Sequence, residues 1–124
     1  MKNVLILLLL TLLVSGCSKN NTEKATDFLL ENQTNEVTVV VFTNKSLEDS
    51  YTETLQKNID YINNNLRIDK PITNVSFIDV SQDQKFNYER IFDLNTFPQI
   101  VLFEKDEIVL KTTDSEELIR HYEN

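Results

Sequence analysis

After its first 17 residues, the sequence mixes polar and apolar residues, except in two short apolar runs. Residues 37–42 are mostly β-branched and almost wholly apolar, and residues 100–103 form a second run shortly after Pro98. Runs of this length without polar alternation are typical of strands buried on both faces of a sheet. We therefore predict two central strands, over residues 37–42 and 99–103.

Between these runs the apolar residues recur at helical spacing. From Leu47 to Leu66 they fall every three or four positions, which predicts one long amphipathic helix, and Pro71 forbids its continuation. Ser46 followed by Asp49 has the form of a capping box that would open this helix. The apolar positions of the helix are Leu47, Tyr51, Leu55, Ile59, Ile62 and Leu66.

Two weaker helices and one strand are predicted around the long helix. Residues 23–32 place Ala25, Phe28 and Leu29 on one side of a short helix. We expect this helix to pack on the domain edge, the alternative being that it belongs to the tether. The pattern over residues 72–80 predicts a strand. Ser81 and Gln84 have the spacing of a capping box for a further helix, which would end near residue 93.

The end of the chain predicts a hairpin followed by a helix. Residues 104–107 are polar and turn the chain, and residues 108–110 return as an apolar partner for the strand before them. Asp114 and Glu117 have capping-box spacing at the start of a last helix, over residues 115–122. Strands that alternate with helices in this order imply a mixed sheet covered on both faces.

The amino terminus has the layout of an export signal. Lys2 precedes an apolar core over residues 4–13, which is too short to span a membrane. Residues 14–17, Val-Ser-Gly-Cys, resemble the lipobox of bacterial lipoproteins. That resemblance implies cleavage between Gly16 and Cys17, diacylglycerol on the Cys17 thiol, and often an acyl chain such as palmitate on the new amino group. The alternatives are an ordinary signal peptide, or an uncut anchor, with a free Cys17.

The predicted cleavage divides the chain into three segments. These are a signal peptide over residues 1–16, a lipidated cysteine with a tether and short helix over 17–35, and one domain over 36–124. Because Lys2 leaves with the signal and no acid does, the net charge of −8 becomes −9. This strongly negative net charge argues against a nucleic-acid partner and against electrostatic docking on anionic lipid. The acyl chains would hold the protein at the membrane, on its extracytoplasmic face.

Two residue counts limit what the mature chain can do. Cys17 is the only cysteine, so a lipidated protein has no thiol for a disulfide, a thiolate metal site or dithiol chemistry. Gly16 is the only glycine and leaves with the signal. We therefore expect Asn and Asp at any position that needs a positive φ.

Three segments of the domain resemble the thioredoxin fold: residues 77–80, 96–103 and 108–111. In that family a strand ending in an acidic residue and valine leads into a helix. A cis proline then precedes a strand that forms a hairpin with the last strand. The resemblance implies a three-layer α/β fold over about residues 36–122, with a mixed central sheet of about four strands flanked by helices, and it implies that Pro98 is the cis proline.

The redox motif of that family is missing. The family places Cys-x-x-Cys after the central strand, at the start of the long helix, where this chain has residues 43–50 without a cysteine. A serine hydroxyl at Ser46 or Ser50 stays protonated near neutral pH, so thiol–disulfide exchange cannot occur there. The redox function is therefore not carried over, and we expect no cofactor.

The family resemblance also implies a peptide-binding groove, which does not require the missing cysteines. Members of the family bind extended peptides between two loops, through the backbone of the residue before the cis proline. Here those loops hold Asn44, Lys45 and Ser46 on one side and Phe97 and Pro98 on the other. We expect an envelope protein or peptide to bind there by strand addition.

Other chemistry has weaker support. Ser46 and His121 could belong to a hydrolytic triad, but nothing like a nucleophile elbow surrounds any serine, and His121 suits the end of a helix. One histidine with scattered carboxylates does not predict a metal site. Among the aromatic residues, Tyr61 and Tyr88 are the two expected nearest the surface.

The sequence thus predicts a lipid-anchored, extracytoplasmic binding or adaptor module of the cell envelope that is not an enzyme. One alternative is an accessory component of an extracytoplasmic thiol–disulfide or cytochrome maturation system. Another is an enzyme of unrelated chemistry that uses the same groove.

Overall fold

The computed structural model describes residues 20–31 and 36–124 of the chain. The predicted signal peptide, with Gly16 and Cys17, residues 18–19 of the predicted tether, and residues 32–35 lie outside the described residues. In chain order the elements are α1 (Asn21–Leu29), β1 (Val37–Thr43), α2 (Asp49–Asn65), β2 (Asn74–Asp79), α3 (Tyr88–Ile91), β3 (Gln99–Glu104), β4 (Glu107–Thr112) and α4 (Glu116–Glu123).

The four strands form one mixed sheet in the order β2-β1-β3-β4. β1 pairs in parallel with β2 and antiparallel with β3, and β3 pairs antiparallel with β4. Every residue of β1 is buried, as are Ile100 to Phe103 of β3. The prediction of two central strands buried on both faces is confirmed.

Each face of the sheet carries its own hydrophobic cluster. Along β1 the side chains alternate, so Val39 and Val41 pack with residues of α2 and α4, whereas Val40 and Phe42 pack with residues of α1 and α3. This alternation is the period of two that a strand imposes on its side chains. The result is a helix–sheet–helix arrangement, the three-layer α/β architecture that was predicted.

The first helix packs on the domain as predicted, but its bounds differ. It begins at Asn21, because the side chain of Asn20 caps it by accepting a hydrogen bond of 2.8 Å from the N–H of Glu23. It ends at Leu29, and Ala25 is buried in the cluster shared with α3. Phe28 lies at the surface with 40% of its area exposed.

The capping box predicted at Ser46 and Asp49 is wrong. Helix α2 begins at Asp49 after an extended Glu48, whose side chain makes no capping hydrogen bond to the described residues of the first turn. The hydroxyl of Thr43 donates to the carbonyl of Lys45 and accepts from its N–H, so the chain after β1 first makes a tight turn. Ser46 therefore lies in an exposed loop before the helix starts.

The helix predicted from Ser81 to about residue 93 is also wrong over most of its length. Its helical part is α3 alone, a single turn capped by the side chain of Asn87. Ser81 and Gln84 instead bind Asp79 at the end of β2. The N–H and hydroxyl of Ser81 donate to the Asp79 carboxylate at 2.9 and 2.6 Å, and the Gln84 amide donates to the Asp79 carbonyl at 3.0 Å. Such local bonds compete with helix formation.

Tyr88 is not near the surface as predicted, whereas Tyr61 is. Tyr61 is 44% exposed, but Tyr88 is only 1% exposed. The side chain of Tyr88, the first residue of α3, points into the sheet, where its ring lies 5.5 Å from that of Phe42 and is stacked at 6.0 Å on that of Phe92.

The hairpin and last helix match the prediction with two differences. Positive φ values occur among the described residues at Asp93 and Asp106, as expected, but also at Lys105 in the hairpin turn. The Asp114 carboxylate caps the last helix through the N–H of Glu116, at 2.9 Å, instead of that of Glu117. Leu118 of α4 is buried against the sheet, as predicted.

Candidate functional site

The first loop of the candidate site leaves the carboxyl end of β1. The Thr43 turn directs Asn44, Lys45 and Ser46 outward, and all three are exposed. Leu47 then turns inward and packs on the cluster between α2 and the sheet. Within residues 20–31 and 36–124, no ion pair joins Lys45 to an acid, so its charge is available at the surface.

The second loop comes from the segment before β3. The peptide bond between Phe97 and Pro98 is cis, as the resemblance implied. Phe97 is half-buried and packs against the cluster beneath α1 and α3. In the described part of the chain, no hydrogen bond uses the backbone N–H or carbonyl of Phe97.

The two loops meet in one cavity of about 190 Å³. All five residues predicted for the groove line it: Asn44, Lys45, Ser46, Phe97 and Pro98. Its other lining residues are Thr43, Leu47, Glu48 and Tyr51. The apolar surfaces of Leu47, Tyr51 and Phe97 thus stand beside a polar rim on the first loop.

Tyr51 is the member of this site that the sequence reasoning missed. Its helical spacing assigned it to the core, and its half-buried ring does pack there, but it also forms a wall of the cavity. Its hydroxyl is buried and has no hydrogen-bond partner among the described residues. Burial raises the pKa of the Tyr51 phenol, so the group is neutral and a potential donor at physiological pH.

A hydrolytic arrangement is not assembled at this cavity. Strand β1 separates Ser46, beyond its carboxyl end, from Glu104, which pairs with Val37 at its other end. His121 lies with Glu104, the imidazole Nε2 being 3.4 Å from the carboxylate. A seven-residue strand spans roughly 20 Å, too far for Ser46 and His121 to share a proton.

Over 20–31 and 36–124, no three His, Cys, Asp or Glu side chains are grouped so that they could hold a metal ion. In the same ranges, no helix has the length and apolar character needed to cross a membrane.

Comparison with known proteins gives matches in structure alone. No protein-family model matches the chain, and no curated protein matches its sequence. A designed protein aligns at 14% identity with a TM-score of 0.51, covering 76% of this chain and 80% of its own. Thioredoxin Mala s 13 of Malassezia sympodialis aligns at 14% identity with a TM-score of 0.50, covering 78% and 82%.

A third similar structure was determined to explain the thiol-resolving mechanism of yeast mitochondrial 1-Cys peroxiredoxin via glutathione/thioredoxin systems. It aligns at 14% identity with a TM-score of 0.51 and covers 79% of this chain and 87% of its own. Identities this low carry information on the fold alone. Together with the four-stranded mixed sheet and its two helical layers, these likenesses give the chain a thioredoxin-like α/β fold.

Proposed function

We propose that this protein is a bacterial lipoprotein, anchored through Cys17 on the extracytoplasmic face of the membrane, whose thioredoxin-like domain binds an extended segment of an envelope partner. It works by binding, without redox chemistry, catalysis or a cofactor. The anchor is supported by the lipobox at residues 14–17. The absence of redox chemistry is supported by the single cysteine, whose thiol the anchor would occupy.

The observation that carries the binding proposal is the cavity between the two loops. Residues 44–46 and residues 97–98 are separated in the sequence by residues 47–96, yet they line one concave surface. Pockets that take drug-sized ligands or cofactors measure about 300–1,000 Å³. At about 190 Å³ this cavity suits one inserted side chain of a peptide better than a whole small molecule.

The backbone beside the cavity can form hydrogen bonds with the backbone of a bound peptide. A peptide in extended conformation presents alternating N–H and carbonyl groups, which pair with an unpaired backbone segment. Phe97 offers such a segment, since its own N–H and carbonyl bind no described residue. Apolar contact with Leu47 and Phe97 would then seat the partner's side chain, and the polar first loop would border it.

Site-specific photo-crosslinking in the native envelope tests the binding site. The crosslinker is placed at Asn44 and Ser46, which line the cavity and are exposed, and at Asn64 as a control on the far end of α2. We expect one envelope protein to be captured at both cavity positions and not at Asn64. Capture of the same set of proteins at all three positions would refute the groove.

A cavity-filling substitution provides an independent test. Ser46→Trp should fill the cavity without touching the core, whereas Asn64→Trp adds the same ring at an exposed position elsewhere. Overpacking costs about 1–3 kcal/mol, so partner capture at Asn44 should fall at least about fivefold with Ser46→Trp. Unchanged capture with Ser46→Trp would contradict the proposal. A captured partner carrying Cys-x-x-Cys would instead favour the accessory role in thiol–disulfide or cytochrome maturation.

The anchor is tested by metabolic labelling with palmitate. We expect label on the wild-type protein and none on Cys17→Ala. Label that persists in Cys17→Ala would refute lipidation at this cysteine.

A further inference from the structure

A second cavity, of about 580 Å³, lies where the described domain begins. It is lined by the first two residues of α1, Asn21 and Thr22, and by residues of the segment that contains α3. Two of these are the exposed cations Lys85 and Arg90. No acidic residue of the described chain lines it, although the protein as a whole carries a net charge of −8.

Both cations are available to a ligand. Over residues 20–31 and 36–124, neither Lys85 nor Arg90 forms an ion pair. The Lys85 ammonium lies 4.7 Å from the ring centre of Phe28 and 5.8 Å from that of Phe86, so aromatic surfaces hold it beside the cavity. The cavity is therefore a cationic and aromatic site on an acidic protein.

The position of this cavity along the chain relates it to the anchor. The first helix was expected to begin at Glu23, but α1 already begins at Asn21, four residues after Cys17. Four fully extended residues reach at most about 14 Å. The cavity lined by Asn21 and Thr22 consequently lies within that reach of a lipidated cysteine, and Lys19 between them adds one more positive charge to the sequence.

We infer that this cavity faces the membrane and that Lys85 and Arg90 bind the phosphates of anionic phospholipid headgroups. The inference rests on the lipid anchor proposed above. The acyl chains supply the affinity, and the two cations select the orientation in which the acidic remainder of the domain points away from the lipid. Arginine suits phosphate through its planar pair of donors, and lysine acts as a point charge.

The two cations at this cavity therefore allow an attraction to anionic lipid that the net charge of the protein argues against. The net charge of −9 that remains once Lys2 leaves with the signal peptide argues against attraction of the whole protein to anionic lipid. At the surface, however, each cation favours contact about fivefold, so Lys85 and Arg90 together favour it by roughly 30-fold at low salt. This attraction is screened within a Debye length of about 10 Å at 0.1 M salt.

Fluorescence quenching on the lipidated full-length protein tests the orientation. Because Cys17 is acylated, an introduced cysteine can be labelled selectively, in Glu89→Cys beside the cavity or in Asn64→Cys on α2. The protein is reconstituted into phosphatidylcholine vesicles with or without phosphatidylglycerol, containing a headgroup nitroxide quencher. Adding phosphatidylglycerol should increase quenching at Glu89 relative to Asn64, corresponding to a shift of roughly 30-fold toward contact at low salt.

Matched charge variants separate the site from the total charge. Lys85→Gln with Arg90→Gln should abolish the effect of phosphatidylglycerol, whereas Lys57→Gln with Lys105→Gln, which removes two exposed cations elsewhere, should preserve it. Equal quenching in both vesicle types, or an equal response of the two double variants, would overturn the inference and leave the anchor intact. A wild-type protein that fails to float with vesicles would overturn the anchor as well.

Discussion

Replacing Tyr88 by phenylalanine should stabilise the protein. The Tyr88 side chain is 1% exposed, and its hydroxyl is buried with no hydrogen-bond partner among the described residues. Its ring packs between Phe42, Phe86 and Phe92, with centroid distances of 5.5 to 6.2 Å. The substitution keeps these ring contacts and removes only the oxygen.

The magnitude follows from two opposing terms. A hydroxyl buried without a hydrogen bond costs about 1–3 kcal/mol on mutational scales, and this cost disappears. The void left by one oxygen costs a few tenths of a kcal/mol, at about 24 cal/mol per Å³. We expect Tyr88→Phe to raise the free energy of unfolding by about 1–2 kcal/mol, measured by urea denaturation with an unchanged m-value.

Tyr122→Phe is the matched control, because the same atom is removed from a hydroxyl that is paired. The Tyr122 hydroxyl donates a hydrogen bond of 2.7 Å to the Glu104 carboxylate. A hydrogen bond to a charged group contributes about 1.5–3 kcal/mol, and partial exposure reduces this, so Tyr122→Phe should destabilise by about 1–2 kcal/mol. If Tyr88→Phe destabilised the protein as much as Tyr122→Phe, the reasoning about the unpaired hydroxyl would be refuted.

Two further predictions use the same denaturation assay. Burial raises the pKa of Tyr51, and burial with a carboxylate hydrogen bond raises that of Tyr122. A raised pKa in the folded state means that stability is present below about pH 10 and is lost above it, as the unfolded tyrosines ionise first. Tyr122→Phe should therefore flatten the alkaline loss by up to about 1.4 kcal/mol per pH unit, and an unchanged slope would contradict this. Asn63→Ala removes hydrogen bonds of 2.9 and 2.7 Å with the backbone of Ile72 and should destabilise by about 2–3 kcal/mol. Its neighbour Asn64 is exposed, so Asn64→Ala should change stability by less than about 0.5 kcal/mol. Equal losses of stability in the two variants would contradict a specific contribution from the hydrogen bonds between Asn63 and Ile72.

The strands could be predicted because burial on both faces leaves a continuous apolar pattern. Val40 and Val101 each have apolar residues on both sides in the sequence, and a sheet covered by helices on both sides is the usual way to bury such runs. The same holds for the inner face of α2, whose spacing follows the helical repeat.

Helix starts were predicted less well. A capping pattern in the sequence considers only one hydrogen-bond partner for each side chain, whereas in the folded protein several polar groups compete for the same side chain. Ser81 has capping-box spacing with Gln84, but both lie closer to the polar groups of Asp79 at the end of β2. Thr43 competes in the same way before α2. The burial of Tyr88 was missed for a related reason: the helix that contains it is a single turn, and it begins at a different residue from the helix that was predicted.

The candidate site was predicted through the family resemblance, since nothing local relates Ser46 to Phe97. Their meeting depends on β1 and β3 pairing side by side. Tyr51 could not be separated from the core residues of α2 by spacing alone, because a cavity wall and a core contact can occupy the same helix face.

The sequence alone determined which segments are strands, where the long helix runs and how few thiols the chain has, because these depend on the identity of neighbouring residues. Only the tertiary structure decided which polar groups find partners, and that two distant loops share one cavity. It also decided that two cations gather near the start of an acidic domain. Those features depend on segments that are far apart in the chain and meet only when the sheet forms, so no local pattern records them.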